Sequence, residues 1–413
     1  MKKSALLFMI LILAVVSTNI FAANGNSTTI TFWNGFTGPD GEILREIVNR
    51  FNQEQAGKIN VEMDIMPWDV FFQKLPPAIA TKTAPSFVLL DPVNIPQYVA
   101  NDALQTMDDF WEVTGLKESA YVENVLELMK YNGSYYEMPM QSNLFYLYWN
   151  KDLFQAAGLD PERPPETMEE LGDFAEKLTN PRLNQFGFGM PITGVYAVGF
   201  LWNNGGEIYD LEAGKSLLNS PQNIDTLKWM QDLAVRKRVT PRGATGPDLD
   251  NLLMSGQLAM YINGPWLING LRNNDINFGI AAPPKGSVRH QVPSGGVGFA
   301  VPSGINAAEK KAVYEFIKYW MSPEILKEWS IRNGFPAWSY AVMDDPEIKT
   351  DPIQGTISPL GSLGRFHGHG FQHAPTLDND ILWPMLESIL AGVEKPADAV
   401  KKASQKIDDL LQN

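Results

Sequence analysis

The segment TTITFWNGFTGPDGEILREIVNRFNQEQAGKINVEMDIM, residues 28–66, passes from one hydrophobic period to another and back again. TTITFW (28–33) reads as a strand. Behind it Ile43, Leu44, Ile47, Val48 and Phe51 fall on one face of a helix that Asp40 is placed to cap. INVEMDIM (59–66) then alternates strictly, with Ile59, Val61, Met63 and Ile65 on one side. A second helical stretch follows over about 69–80, and PSFVLL (85–90) is the short continuous apolar run expected of a buried parallel strand. The order is βαβαβ, so the fold class is α/β with a parallel sheet.

Open parallel sheets bind ligands outside the carboxyl ends of their strands. Here those ends carry Asn34 and Phe36 after the first strand, Trp68 after the second and Asp91 after the third. Working outward, Asn150 and Gly158 bracket a short helix, Thr167 with Glu170 fits a capping box, and Ser322, Pro323 and Gly334 bracket a later helix. Trp111 and Trp320 lie in helical stripes and read as core.

The chain begins MKKSALLFMILILAVVSTNIFAANGN: two lysines, an apolar run from Ala5 to Val16, and small residues at Ala22 and Ala23. This is the layout of a cleaved signal peptide over 1–23, and the run is too short for a membrane anchor. A periplasmic or extracellular location is expected. Losing Lys2 and Lys3 takes the formal charge from -14 to -16, an acidity that excludes nucleic acid and anionic membranes as natural partners. The absence of cysteine excludes disulfides, thiolate chemistry and a lipid anchor at an N-terminal Cys. About 390 mature residues exceed what one core usually covers, so two domains are expected.

Four blocks now matter together: NGSYYEMPM (132–140), LFYLYWNKDLFQAAGLDPERPPETMEEL (144–171), LAMYINGPWLINGL (258–271) and GGVGFAVPSGINAAEKKAVYEFIKYWMSPEILKEW (295–329). Their content and order resemble the maltose-binding-like family of extracellular solute-binding proteins that serve ABC sugar importers. The resemblance implies a two-lobed periplasmic-binding-protein fold, each lobe a sheet flanked by helices, joined by three hinge crossings. The crossings would fall near Met140–Phe145, near Gly295–Ala300 and past Trp338. One lobe would then comprise 24–142 and 302–350, the other 145–296 and 351–413. A monomer that delivers sugar to ABC permease subunits, without a cofactor, is the implied role.

Sugars present hydroxyl edges and apolar C–H faces, so the candidates are rings in loops and polar groups at strand ends. Trp266 ends the NGPW motif, where the family's tryptophan stacks on sugar. Trp68, Trp338, and Trp202 with Tyr196 before Asn203 and Asn204, are the other loop-associated rings, and Trp383 reads equally as contact or core. Asn34, Asp91, Ser142 and Asn143 offer hydrogen bonds, and Gly296 suits close approach of the backbone to a ligand. RFHGHGFQHAP (365–375) stays open: a ligand-facing loop led by Arg365, a solvated loop, or a metal site built on His367, His369 and His373. Arg365 also keeps a glycerol-phosphate-type ligand as the alternative, since related binders use a late-loop arginine. No GxSxG, HExxH, P-loop or dinucleotide fingerprint occurs, and GFTGPDG and GGVGFAV have the wrong spacing, so a glycoside hydrolase is the weakest reading and no enzyme is expected.

Overall fold

The computed structural model describes residues 27–412, so the expected signal peptide lies outside the described residues. The first strand β1 (Thr28–Asn34) runs parallel to β2 (Ile59–Ile65), in register from Thr28↔Ile59 to Asn34↔Ile65, and to β3 (Phe87–Leu90). The helix α1 (Pro39–Glu54) covers them with Ile43, Leu44, Ile47, Val48 and Phe51, all buried, as the periodicity requires. Asp40 does not cap it. Gly38 holds the cap position, and the Asp40 carboxylate accepts from the Gly41 N–H at 2.9 Å instead. The helix α2 (Trp68–Ala80) follows β2, and α3 (Ile95–Ala100) follows β3 after one tight turn.

Chain crossings explain why two cores form. The strand β4 (Glu137–Leu144) lies in the first sheet, and only Phe145 separates it from β5 (Tyr146–Asn150), the centre of a second sheet. There β5 pairs antiparallel with β6 (Met260–Asn263) and β7 (Phe278–Ala281). The chain returns through β8 (Val292–Ala300), which pairs with β4 along one edge and with β3 and the short β9 (Gly364–Phe366) along the other. The first sheet therefore runs β9-β8-β3-β1-β2, with β4 beside β8. At the crossing the Phe145 N–H donates to the Pro293 carbonyl at 3.0 Å, so outgoing and returning strands are tied side by side. The third passage lies near Gln354, whose amide donates to the Ser330 and Phe335 carbonyls of one lobe while Ile353 and Ile357 pack into the other.

The first core takes residues from both ends of this path. Phe32 and Phe87 stack at 4.3 Å beside Phe299 of the same sheet and beneath Phe316, and Trp320, Trp329 and Trp338 extend the cluster. The second core joins Leu147 and Trp149 to Leu201, Trp202, Leu382 and Ile407. Two α/β lobes interleaved in sequence are the result. Local expectations mostly hold: Asn150 accepts from the Leu153 N–H at 3.0 Å, and Gly158 and Gly334 have φ of 68° and 78°. The capping box is half made. Thr167 accepts from the Glu170 N–H, but the Glu170 carboxylate accepts from the Glu166 N–H and pairs with Arg163.

Candidate functional site

A cleft of about 750 Å³ lies between the lobes. Its first-lobe wall is the strand ends: Phe36 after β1, Trp68 and Phe72 from α2, and Asp91 after β3. The facing wall is Trp266 with Asn269, Gly270 and Asn273 from α4 (Leu267–Asn273). Gln141, Asn143 and Val297, from the paired crossing strands, form the back, joined by Asn333 and Phe335.

Both cleft tryptophans lean over a glycine that an asparagine precedes. A Cβ on Gly35 would lie 2.0 Å from the Trp68 ring, and one on Gly264 would lie 2.1 Å from the Trp266 ring. Only glycine lets the indoles fold back in this way. Trp68 is stacked on Phe72 at 5.7 Å and meets Phe36 edge-on at 6.1 Å. Trp266 is 46% exposed, propped by the edge of Phe145 at 5.7 Å.

Of the residues singled out from sequence, Phe36, Trp68, Asp91, Asn143 and Trp266 line this cleft. Ser142 and Gly296 do not. They pair with one another across β4 and β8, and a Cβ on Gly296 would meet Met129 and Leu128 of the first core. Strand alternation sends their neighbours Gln141, Asn143 and Val297 into the cleft instead. Asn34 lies underneath, fully buried: its side-chain oxygen accepts from the Phe36 N–H at 3.0 Å, while its Nδ2 has no partner. Tyr196 supports the wall from behind, its hydroxyl donating to Asn263 at 2.6 Å and its ring packed on Phe145 at 4.9 Å.

Two expectations are corrected by burial, at Trp338 and Trp202, and one by pairing, at Arg365. Trp338 is 3% exposed and packs on Tyr121 at 5.3 Å in the first core, because the Gly334 turn carries it inward. Trp202 is 2% exposed beneath the Arg365 guanidinium, 4.4 Å from its ring centre. Arg365 in turn donates to both oxygens of Glu207, at 3.2 and 2.6 Å, and to Gln291 at 3.1 Å. Burial pushes the Glu207 carboxyl up, but Arg365 and Arg289 together outweigh this and hold it below its ordinary value. The histidines diverge: His367 bonds Asp378 at 2.8 Å, His369 packs on Phe366 and His373 on Phe371. Among the described residues no three His, Cys, Asp or Glu side chains gather as metal ligands. Trp383 is half exposed outside the cleft lining, and Trp320 is fully buried with its indole N–H on the Met140 carbonyl at 2.8 Å.

Several lining residues were missed. Phe72 follows Trp68, and Asn273 follows Asn269, by four positions, the spacing that puts side chains on one helical face. That signal was available. Asn333 had none, since it ends the helix Pro323–Asn333 and reaches the cleft only through tertiary packing. Its Nδ2 is buried without a hydrogen-bond partner. Gln141 accepts from the Trp329 indole N–H at 3.2 Å and donates to Asn143 at 3.2 Å, so its orientation is set.

The charge character is one-sided. Asp40 and Asp91 are the charged groups of the lining, and it holds no Lys, Arg or His. Burial pushes the Asp91 carboxyl up to about 6, against the pull of the Val93 N–H that it accepts. Behind it Glu137 is fully buried with both oxygens unpartnered, in space left by Gly298. Burial first, and the charge of Asp91 second, push its carboxyl well above the ordinary range.

Residues 46–356 match the model of the family described as bacterial extracellular solute-binding protein. The chain belongs to that family. This solute-binding protein is 24% identical over 328 residues to the maltotriose-binding protein of Pyrococcus abyssi, a match spanning 78% of the chain and 63% of that relative's length. It is 25% identical over 418 residues to the sn-glycerol-3-phosphate-binding periplasmic protein of Shigella dysenteriae, covering 93% of each. Its fold superimposes on the cyclic alpha-maltosyl-1,6-maltose binding protein of Arthrobacter globiformis with a TM-score of 0.81 at 21% identity, over 94% of the chain and 100% of that structure. The fold class expected from sequence, two α/β lobes, is thus the fold of the solute-binding protein. No helix among its described residues is long and apolar enough to cross a membrane.

Proposed function

We propose that the protein is the exported sugar-binding subunit of an ABC importer, capturing a neutral di- or oligosaccharide between its lobes and presenting the closed form to a membrane permease. One observation carries this: the cleft offers aromatic faces and side-chain amides but no cation. Trp266 and Trp68, from opposite lobes, would cover sugar faces, while Gln141, Asn143, Asn269, Asn273 and Asn333 would hold the hydroxyls. Asp91 would accept from a hydroxyl pair. A phosphate monoester needs a guanidinium or ammonium partner, and Arg365, the candidate for that role, is paired with Glu207. The volume lies within the range of about 300–1,000 Å³ typical of small-molecule sites.

Closure would pivot on the paired crossings, bringing Trp266 toward Trp68, and ligand would shift the equilibrium by contacting both walls at once. The lobe boundaries stated above, 24–142 with 302–350 and 145–296 with 351–413, belong to this reading. So do cleavage of residues 1–23, a monomer free of lipid, and the absence of catalysis. The test is calorimetry of the mature protein against a panel of neutral oligosaccharides and sn-glycerol 3-phosphate. Saturable binding of a sugar, with none of the phosphate, is the expected result; tighter binding of the phosphate refutes the proposal.

A further inference from the structure

Past Phe72 the interlobe space continues. A second chamber of about 600 Å³ lies between α2 and α3, and Phe72 lines both it and the main cleft. One wall is apolar, from Phe72, Pro76 and Ile79; the other carries the amides of Asn94, Gln97 and Asn101. Pro375, from the opposite lobe, closes one side. The lobes are already in touch there: Val93 packs against the second core, and a Cβ on Gly368 would lie 3.6 Å from it. Phe72 is 37% exposed and nearly parallel to Trp68, at an interplanar angle of 23°. The two rings make a continuous apolar step from cleft to chamber.

The chemistry of the chamber repeats that of the cleft. No charged side chain lines it. Asn94 and Asn101 donate their amide N–H groups to the carbonyls of Asp91 and Gln97, at 3.3 and 2.8 Å, which fixes both side chains and leaves their oxygens as acceptors. A flat apolar face opposite fixed amide acceptors suits a pyranose ring and suits neither an anion nor a lipid chain.

We infer that this chamber is a distal sugar subsite, so that the ligand is a linear oligosaccharide running from Trp266 over Trp68 and Phe72 to Asn101. The inference rests on the sugar reading of the main cleft and adds ligand length to it. Because both lobes wall the chamber, its occupancy would strengthen closure.

The test titrates α-1,4- and β-1,4-linked glucan ladders, from the disaccharide to the pentasaccharide, into the wild type and into Ala80→Trp and Gln97→Trp, which fill the chamber from exposed helical positions. In the wild type the longest member of the preferred ladder is expected to bind about tenfold tighter than the disaccharide. Either folded variant should erase that ratio and leave disaccharide affinity unchanged. Length-independent affinity in the wild type, or an unaltered ratio in both variants, overturns the subsite while sugar binding stands. Failure of every glucan to bind overturns the subsite, and the broader sugar panel separately decides the reading of the main cleft.

Discussion

Replacing Trp266 by alanine removes the ring on which the second-lobe wall depends. An indole side chain offers about 250 Å² of surface. With 46% of the residue exposed in this structure, about 115 Å² remains for a ligand to cover. At about 25 cal/mol per Å², full coverage is worth about 3 kcal/mol, a factor of about 100 in the dissociation constant. Losses in ordering and imperfect coverage reduce this toward about 2 kcal/mol. Folding is expected to change little, since the ring's main support is a single edge contact with Phe145. The assay is calorimetric titration of the preferred oligosaccharide at pH 7, with thermal melts of the unliganded proteins as the control. A folded Trp266→Ala variant whose affinity falls less than about threefold refutes the argument, because the exposed face would then have no ligand to cover.

Gly264→Ala should weaken sugar binding nearly as much as Trp266→Ala, because the added Cβ, 2.1 Å from ring atoms, must displace the indole; unchanged affinity by titration would contradict this. Burial pushes the Asp91 carboxyl up to about 6, so lowering the pH from 7 to 5 should raise the stability of the unliganded protein through this group and weaken sugar binding as the charged acceptor is lost; melts and titrations across that range check both signs, and Asp91→Asn should flatten them. Arg365→Ala should cost about 2 kcal/mol of stability in denaturant unfolding, leaving Glu207 with one guanidinium and Trp202 uncovered, yet alter sugar affinity little. A chain ending at Gly296 should show no cooperative melt, because it lacks Phe299, Phe316, Trp320 and Trp329 of the first core.

Much of the scaffold was legible because its signals are local. The alternation Ile30, Phe32 and the stripe Ile43, Leu44, Ile47, Val48 and Phe51 depend only on strand and helix periods, and each buries as those periods require. Strand ends placed Phe36, Trp68 and Asp91 correctly at the cleft, since a parallel sheet gathers its carboxyl ends on one side. The NGPW motif placed Trp266. Reasoning failed where a one-residue shift reverses the facing, as at Ser142 against Gln141 and at Gly296 against Val297. It failed also where loop residues look alike until packed: nothing near Trp338 or Arg365 foretold a core contact for one and a Glu207 partner for the other. Asn333 lay beyond any sequence period, being brought to the cleft from far along the chain.

The interleaved cores also set an order of events in biosynthesis. Phe32 and Phe87 are translated early, but the rings packed on them, Phe299 of the neighbouring strand and Phe316 of a covering helix, are among the later residues. Until those emerge from the ribosome, that face of the first sheet has α1 but lacks the rest of its packing, and the amino-terminal third is less stable alone than in the finished lobe. A polypeptide that defers its own closure stays threadable. If the protein is exported as proposed above, passing a translocation channel as an extended strand, that delay would keep it in the form the channel accepts, with final compaction left to the far side of the membrane.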